Sequence, residues 1–428
     1  MNGRRIFRNS RMYERNYVHK LSAEPPLMVV LVQVYDNIAE KGGVMKHYGA
    51  VLLGGAAAMF TAMGIGRFAY TPAITFMLEA GALNTAQAGF IASANFAGYL
   101  AGAVYYSISP PKKRTFEISL ALSVLTTAAM PVFDGMLWWS TIRFFSGFYS
   151  AAVFVCAAEK VYTALYENMK QTLGGFLFSG IGAGIAFSSW AVPFASHYGG
   201  WRVSWYFIGA VCTLTALTAV WLSGGRSASA RRSTEVDNRG LFSPPMLLLA
   251  FAYLLEGSGY IIAGTFLVDI IKLSSGSSGA GFTGWALAGG TAVFSNFLWS
   301  WAGHRFGLFR VLFLLLMLQA AGMLLPVFSN SISAAYLFSI IFGGTFLGAV
   351  TLALACGRHI MPKGNTAPFL TVFFGIGQII SPWIGGLMAY KSGSFAAPLI
   401  FSSANIIVGA ALTALAGTVY IRRKKCRS

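Results

Sequence analysis

Stretches of roughly 20 predominantly apolar residues recur along this chain, each closed by a short polar or Gly/Pro-marked break, and that is the length an α-helix needs to cross bilayer hydrocarbon. They fall at 49–77, 85–108, 116–132, 137–158, 173–195 and 204–222, and again at 246–271, 283–302, 311–328, 334–356, 368–390 and 397–420. Composition agrees: 10% of the 428 residues are charged and 56% hydrophobic, whereas a soluble protein carries about a quarter charged residues. The expected fold is therefore an all-α integral membrane protein of twelve transmembrane helices, arranged as two six-helix bundles. The expected division is an N-terminal bundle over 45–223, a Ser/Arg/Gly-rich linker over 224–245, a C-terminal bundle over 246–420 and a basic tail over 421–428.

The net charge of +18 does not point to nucleic acid, because the basic residues lie between apolar spans and form no patch interleaved with aromatics. Numbering the spans alternately inward and outward puts Lys46, Lys112, Lys113, Arg114, Lys160, Lys170, the linker arginines, Arg305, Arg310, Arg358, Lys363 and the basic tail on one side. The other side receives Arg202, Lys272 and Lys391. By the positive-inside rule both termini and the linker are expected in the cytoplasm. The tail also suits contact with anionic membrane lipid.

Enzyme chemistry finds little footing. Cys156, Cys212 and Cys356 lie in apolar spans and Cys426 in the tail, without the spacing of a disulfide or zinc site. His19, His47, His197, His304 and His359 are dispersed, so no metal and no cofactor is expected. No GxxxxGK[ST] loop is present, so ATP-driven work would need a separate subunit.

The two groups of six spans share glycine and aromatic patterns at a near-constant offset of about 195 residues. Gly64-Ile65-Gly66 matches Gly257-Ser258-Gly259, Gly89-Phe90 matches Gly284-Trp285, Phe178 to Gly182 matches Phe373 to Gly377, and Gly147 matches Gly343. Each pair taken singly also reads as close helix packing. Together they predict two pseudo-symmetric bundles, a site near the midplane between them, and rocking of one against the other.

On these residues the chain resembles the major facilitator superfamily and, within it, the YbfB/YjiJ-like bacterial branch. The resemblance is carried by Gly64 to Pro72, Gln87 to Phe90 with Ala92 to Asn95, Ser179 to Gly182, and Gly200-Trp201-Arg202. In the second half it rests on Glu256-Gly257, Gly259 to Ile262, Thr265 to Leu267, and Gly375 to Gln378 before Pro382. It covers Met45 to about Tyr420. Two superfamily signatures depart from pattern: the loop Ser109 to Arg114 lacks its Asp, and His304 stands in the Asp place of Gly303 to Gly307. Arg143 and Gly147 match the Arg-x-x-x-Gly signature that the superfamily links to proton coupling. Residues 1–44 fit poorly: Leu27 to Val34 is too short to span. Lys41-Gly42-Gly43 can be encoded as a ribosome-binding sequence just before Met45. A start at Met45 and a native basic extension both remain open.

An ionisable side chain inside a span costs at least about 2.5 kcal/mol and so marks function by default. Three stand out. Glu256, about ten residues into its span and so roughly 15 Å deep, is expected as the proton-coupling carboxylate, with Arg143 as its companion in coupling. A structural Glu256 bonded to Tyr260 or to backbone near Gly257 is the alternative. Arg67 holds its charge at any relevant pH, so it suits an anion, with Tyr70, Asn95, Tyr260 and Gln378 supplying orienting hydrogen bonds. Its alternatives are snorkelling and an ion pair with Glu256. Glu117, Asp134, Glu159 and Asp269 lie at span ends, where solvated or capping roles are the default.

The expectation is a monomeric, proton-coupled secondary transporter in the bacterial cytoplasmic membrane, moving a small organic anion or carboxylate by alternating access. A multidrug exporter and, more remotely, a non-transporting sensor on the same fold are the alternatives.

Overall fold

The computed structural model describes residues 47–223 and 238–427, and among these every regular element is helical. The 1–44 extension and most of the linker lie outside the described residues. Helix is the expected outcome for a chain in lipid, since each segment must satisfy its own backbone N–H and C=O groups.

Helix α1 runs over 47–79 in three pieces: α-helix His47–Met59, a π-helical turn Phe60–Ile65, and α-helix Tyr70–Glu79. Then come α2 (Thr85–Ile108), α3 (Thr115–Ala128) and α4 (Met136–Glu167). The stretch Phe176–Ser223 is broken at Gly199 and Gly200, giving α5 over 176–198 and α6 over 201–223. The second half holds α7 (Pro244–Ser275), α8 (Ser278–Phe306), α9 (Leu308–Phe328), α10 (Ile332–Ile360), α11 (Thr366–Ser392) and α12 (Ala396–Arg427). With an even number of passes the N-terminus of α1 and the C-terminus of α12 share one face, called here the terminal face; the opposite one is the distal face.

Hydropathy located the twelve passes, while the ends follow local chemistry. The α3 span stops short of the expected 132 because the indole Nε1 groups of Trp138 and Trp139 donate to the carbonyls of Ala129 and Met130, each at 3.1 Å. Asn84 and Gln87 form a reciprocal capping box that starts α2, with both bonds at 2.9 Å. Pro244 opens α7 inside the expected linker, at a position where a missing N–H costs nothing. Helices α4 and α12 run past their apolar spans to Glu167 and Arg427, because hydropathy marks hydrocarbon and not helix.

The pseudo-repeat reaches the helix ends. Left-handed glycines lie just beyond α1 and α7, at Gly81 (φ 65°) and Gly276 (φ 70°), and again beyond α5 and α11, at Gly200 (φ 67°) and Gly393 (φ 66°). Only glycine adopts this backbone without strain, so each pair makes the same turn in both halves.

The halves meet along α1–α7, α2–α11 and α5–α8. Glycine makes these approaches possible: a Cβ on Gly89 would lie 2.1 Å from the carbonyl oxygen of Pro382 in α11, and one on Gly289 would lie 2.2 Å from the amide nitrogen of Ala186 in α5. The indole of Trp285 in α8 also donates to Ser188 in α5 at 3.0 Å, fixing that seam with a buried polar bond.

Candidate functional site at the seam of the two halves

The break in α1 is the origin of the site. Pro72 has no N–H, and Thr71 N bonds to Phe68 O at 3.1 Å in place of the carbonyl one residue earlier, so Arg67 O is left without its helical donor. A bare carbonyl in the interior of a membrane protein needs another partner. Arg143 of α4 supplies it: Nη1 donates to Gly66 O at 2.6 Å and Nη2 to Arg67 O at 2.9 Å, while Ser146 Oγ adds a bond to Gly66 O at 3.3 Å. The guanidinium also lies 4.8 Å from the Tyr70 ring centre. Arg143 thus fastens α4 to the broken turn with both terminal nitrogens.

Two more of the expected site residues serve the same clamp. Asn95 of α2 donates its amide to Arg143 O at 2.8 Å, and Tyr70 donates its hydroxyl to Ala88 O at 3.1 Å. Gly147 lets the helices close, since a Cβ there would fall 1.9 Å from Asn95 O.

Arg67 points the other way, across the seam. Its Nη2 donates to Gln378 Oε1 of α11 at 3.2 Å, and the Gln378 amide in turn donates to the Tyr260 hydroxyl of α7. The guanidinium is flanked at 4.4 Å by the rings of both Phe96 and Tyr99 of α2. Beyond Tyr260 stands an aromatic wall from the second half, with Phe346 at 6.0 Å, Phe374 at 5.7 Å and Phe342 at 6.4 Å, all near-parallel. The structure therefore brings Arg67, Gln378 and Tyr260 together and assigns Tyr70 and Asn95 to the scaffold behind them. Arg67 and Arg143 are 5% and 2% exposed, and among the described residues neither makes an ion pair. Among the described residues Arg67 Nε has no hydrogen-bond partner. The ion pair between Arg67 and Glu256 weighed as an alternative is not formed.

Glu256 is 1% exposed and lies inside the second bundle, not at the seam. It lines a cavity of about 10 Å³ together with Tyr253, Leu312, Leu316, Ala349 and Thr413, contributed by α7, α9, α10 and α12. That is room for about one water. Gln319 of α9 faces the carboxyl, yet neither carboxyl oxygen and neither Gln319 amide atom has a hydrogen bond of normal geometry.

The distal end of the seam is shut. Thr71 Oγ1 donates to Gly264 O at 2.6 Å, the rings of Phe76 and Phe282 stack at 5.4 Å, and Lys272 of α7 pairs with Glu79 of α1. Between these contacts lies Asp269, 6% exposed, where a solvated helix-end position was expected. Its burial was not legible in sequence because it depends on α1 covering the last turns of α7. Tyr99, Phe96 and Gln319 were also missed: aromatic and amide residues carry no signal until their neighbours are known.

Two six-helix bundles of this connectivity, meeting around a broken first helix with buried polar groups at the seam, are the architecture of the major facilitator transporters, multi-pass proteins of the membrane. The chain belongs to the family described as "Uncharacterised MFS-type transporter YbfB", which matches residues 59–414. It is 27% identical over 223 residues to the "Uncharacterized MFS-type transporter YfhI" of Bacillus subtilis (strain 168). That similarity covers 48% of this chain and 53% of the relative, so the chain spans about half the length of the curated relative it matches. Among solved structures it resembles the nucleoside transporter NupG, with a TM-score of 0.66 and 12% identity over 85% of this chain and 98% of that one. It also resembles a bacterial homologue of the human lysosomal transporter Spinster in an inward-facing, occupied conformation. There the TM-score is 0.64, with 15% identity over 90% of this chain and 98% of that one. At such identities these likenesses establish the fold.

Proposed function

We propose that the chain is a proton-coupled secondary transporter of a small organic solute carrying a carboxylate, working by alternating access in the bacterial cytoplasmic membrane with both termini inside. One observation carries the substrate class: Arg67 is a buried cation at the seam with no acidic partner among the described residues and an unbonded Nε. A buried charge left uncompensated is costly, and an anionic ligand removes that cost. A carboxylate accepts two parallel hydrogen bonds from a guanidinium. Tyr260 and Gln378 orient it from the second half, and the wall of Phe342, Phe346 and Phe374 suits an apolar or aromatic body. A ligand bridging Arg67 to Tyr260 touches both halves, which is what a substrate of rocking bundles must do.

Glu256 is the proposed coupling carboxylate, supported by its burial and its two unbonded oxygens. Arg143 is a positioning residue for the α1 break in this reading, since both its terminal nitrogens are engaged by backbone. The test is a binding screen on the purified protein against carboxylates, lipophilic cations and neutral metabolites. Carboxylate ligands lost in Arg67→Ala support the proposal, with counterflow in proteoliposomes as the transport readout. Ligands confined to lipophilic cations and indifferent to Arg67 overturn it in favour of multidrug export, and binding without counterflow points to a sensor.

A further inference from the structure

We propose that Asp269 is a proton-binding site of the transport cycle, built into the distal gate, and that closing this gate takes up one proton. The inference rests on the reading of the chain as a proton-coupled transporter.

Asp269 sits on α7 where α1 covers it. Of its carboxyl oxygens Oδ2 is buried without a hydrogen-bond partner, and the Thr75 hydroxyl that faces it from α1 is buried and equally unpartnered. The charged and titratable groups acting on it are Lys272 on its own helix and Glu79 and Tyr70 on α1. The Tyr70 hydroxyl is already committed to Ala88 O. Helix α8 meets this stretch of α7 with Gly281, and the segment between α11 and α12 meets it with Phe395, neither of which titrates.

Charge counting then decides the form. Among the described residues the closed distal end of the seam contains two acids, Glu79 and Asp269, and one base, Lys272. Lys272 is paired with Glu79 at the rim. A second carboxylate beneath that pair, 6% exposed and with one oxygen buried short of a hydrogen bond, is unfavourable. A protonated Asp269 carries no charge and donates one hydrogen bond, and Thr75 Oγ1 is the waiting acceptor. When α1 and α7 separate, water reaches Asp269, it releases the proton to the distal side, and the carboxylate stays solvated. Closure requires the proton back. Proton binding and gate closure are thereby linked, as any group with different proton affinity in two states must be.

The test reads the gate itself, without substrate. Spin labels at Phe133→Cys and Phe328→Cys report from exposed distal positions in the two halves, 60% and 81% exposed and away from the seam. Cys426→Ser removes the tail thiol, and the remaining three cysteines are buried. Distances are measured in lipid nanodiscs across a pH series. In the wild type, acid favours the short distance, with the closed-to-open ratio changing by up to about tenfold per pH unit for one proton. Asp269→Asn holds the short distance at every pH. Glu79→Gln decides the matter if Asp269→Asn fails to fold: Lys272 is then released to neutralise the Asp269 carboxylate, and the pH dependence flattens. A wild-type gate indifferent to pH, or a pH dependence unchanged in both variants, overturns the inference. Ligand binding at Arg67 is measured separately, so loss of the gate proposal is distinguishable from loss of the substrate reading.

Discussion

Thr71 donates its hydroxyl proton to the carbonyl of Gly264, 193 residues further along the chain, and the same spacing separates Glu79 from Lys272 at the rim. The distal gate is thus made where the first helix of one half meets the first helix of the other. Thr71→Val removes the donor while keeping the shape, so the hydrogen bond between the halves is lost while Gly264 O keeps its place in the α7 ladder, at a cost of about 1 kcal/mol. The expected result is a shift of the gate toward its open form by about fivefold or more, read from inter-label distances in nanodiscs. An unchanged distribution would show that the bond does not hold the gate.

Arg67 and Arg143 are expected to separate cleanly on mutation. Arg143→Met strands Arg67 O inside the protein and leaves Gly66 O with only the 3.3 Å bond from Ser146 Oγ, and should cost about 2 kcal/mol or more, seen as a drop in unfolding temperature with or without ligand. Arg67→Ala, whose loss strands the single amide oxygen of Gln378, should leave the apo protein much closer to the wild type and abolish carboxylate binding. Equal thermal losses in the two variants would contradict the division of labour between them.

Arg67→Lys keeps the charge but not the planar group that lies between Phe96 and Tyr99 or its paired donors. Calorimetry with a carboxylate ligand should show affinity reduced by about tenfold or more. Full rescue by lysine would argue that only the charge matters.

Glu256→Gln replaces a buried carboxyl with a neutral group of the same size, so the fold should persist. In proteoliposomes, uptake of the carboxylate ligand driven by a pH gradient should be lost, while exchange of ligand against ligand continues. Preserved gradient-driven uptake would remove Glu256 from coupling.

Gly89→Ala places a methyl group against the backbone of Pro382, which cannot yield, whereas Gly290→Ala meets no atom within 4 Å. The first should loosen the α2–α11 seam and lower thermal stability by several degrees for a cost of a few kcal/mol. The second should be silent.

How far the sequence can be read is clear from particular residues. Apolar length located the twelve spans and the glycine repeat matched the two halves as counterparts, because both are one-dimensional records of lipid thickness and backbone approach. The α2–α11 and α5–α8 contacts that join the halves were not legible in either. Arg67, Gln378 and Tyr260 were legible as polar residues in apolar spans, and they do converge. Asn95 and Tyr70 show the same signal, yet they serve the α1–α2–α4 clamp, since a residue's type says nothing about which face of its helix it occupies. Arg143 was legible as important but not as a cap, because the need for one arises from the π-turn and the lost helical bond at Arg67 O. Asp269 was misread because distance from a span end measures depth along one helix and ignores the neighbour that covers it.

The gate at Glu79 and Lys272 also constrains how such a chain can have arisen. Helices α1 and α7 are counterparts, so the seam between them follows the axis relating the two halves. In a dimer of two identical halves, the end of that helix would face its own copy, and an acid there would meet an acid. Opposite charges at one and the same position can face each other across a two-fold axis only when the two copies are free to differ, and Glu79 and Lys272 are such equivalents, 193 residues apart. Joining the halves in one polypeptide grants that freedom, and the ion pair closing the distal face is an asymmetry that a single gene product can carry and a symmetric dimer cannot.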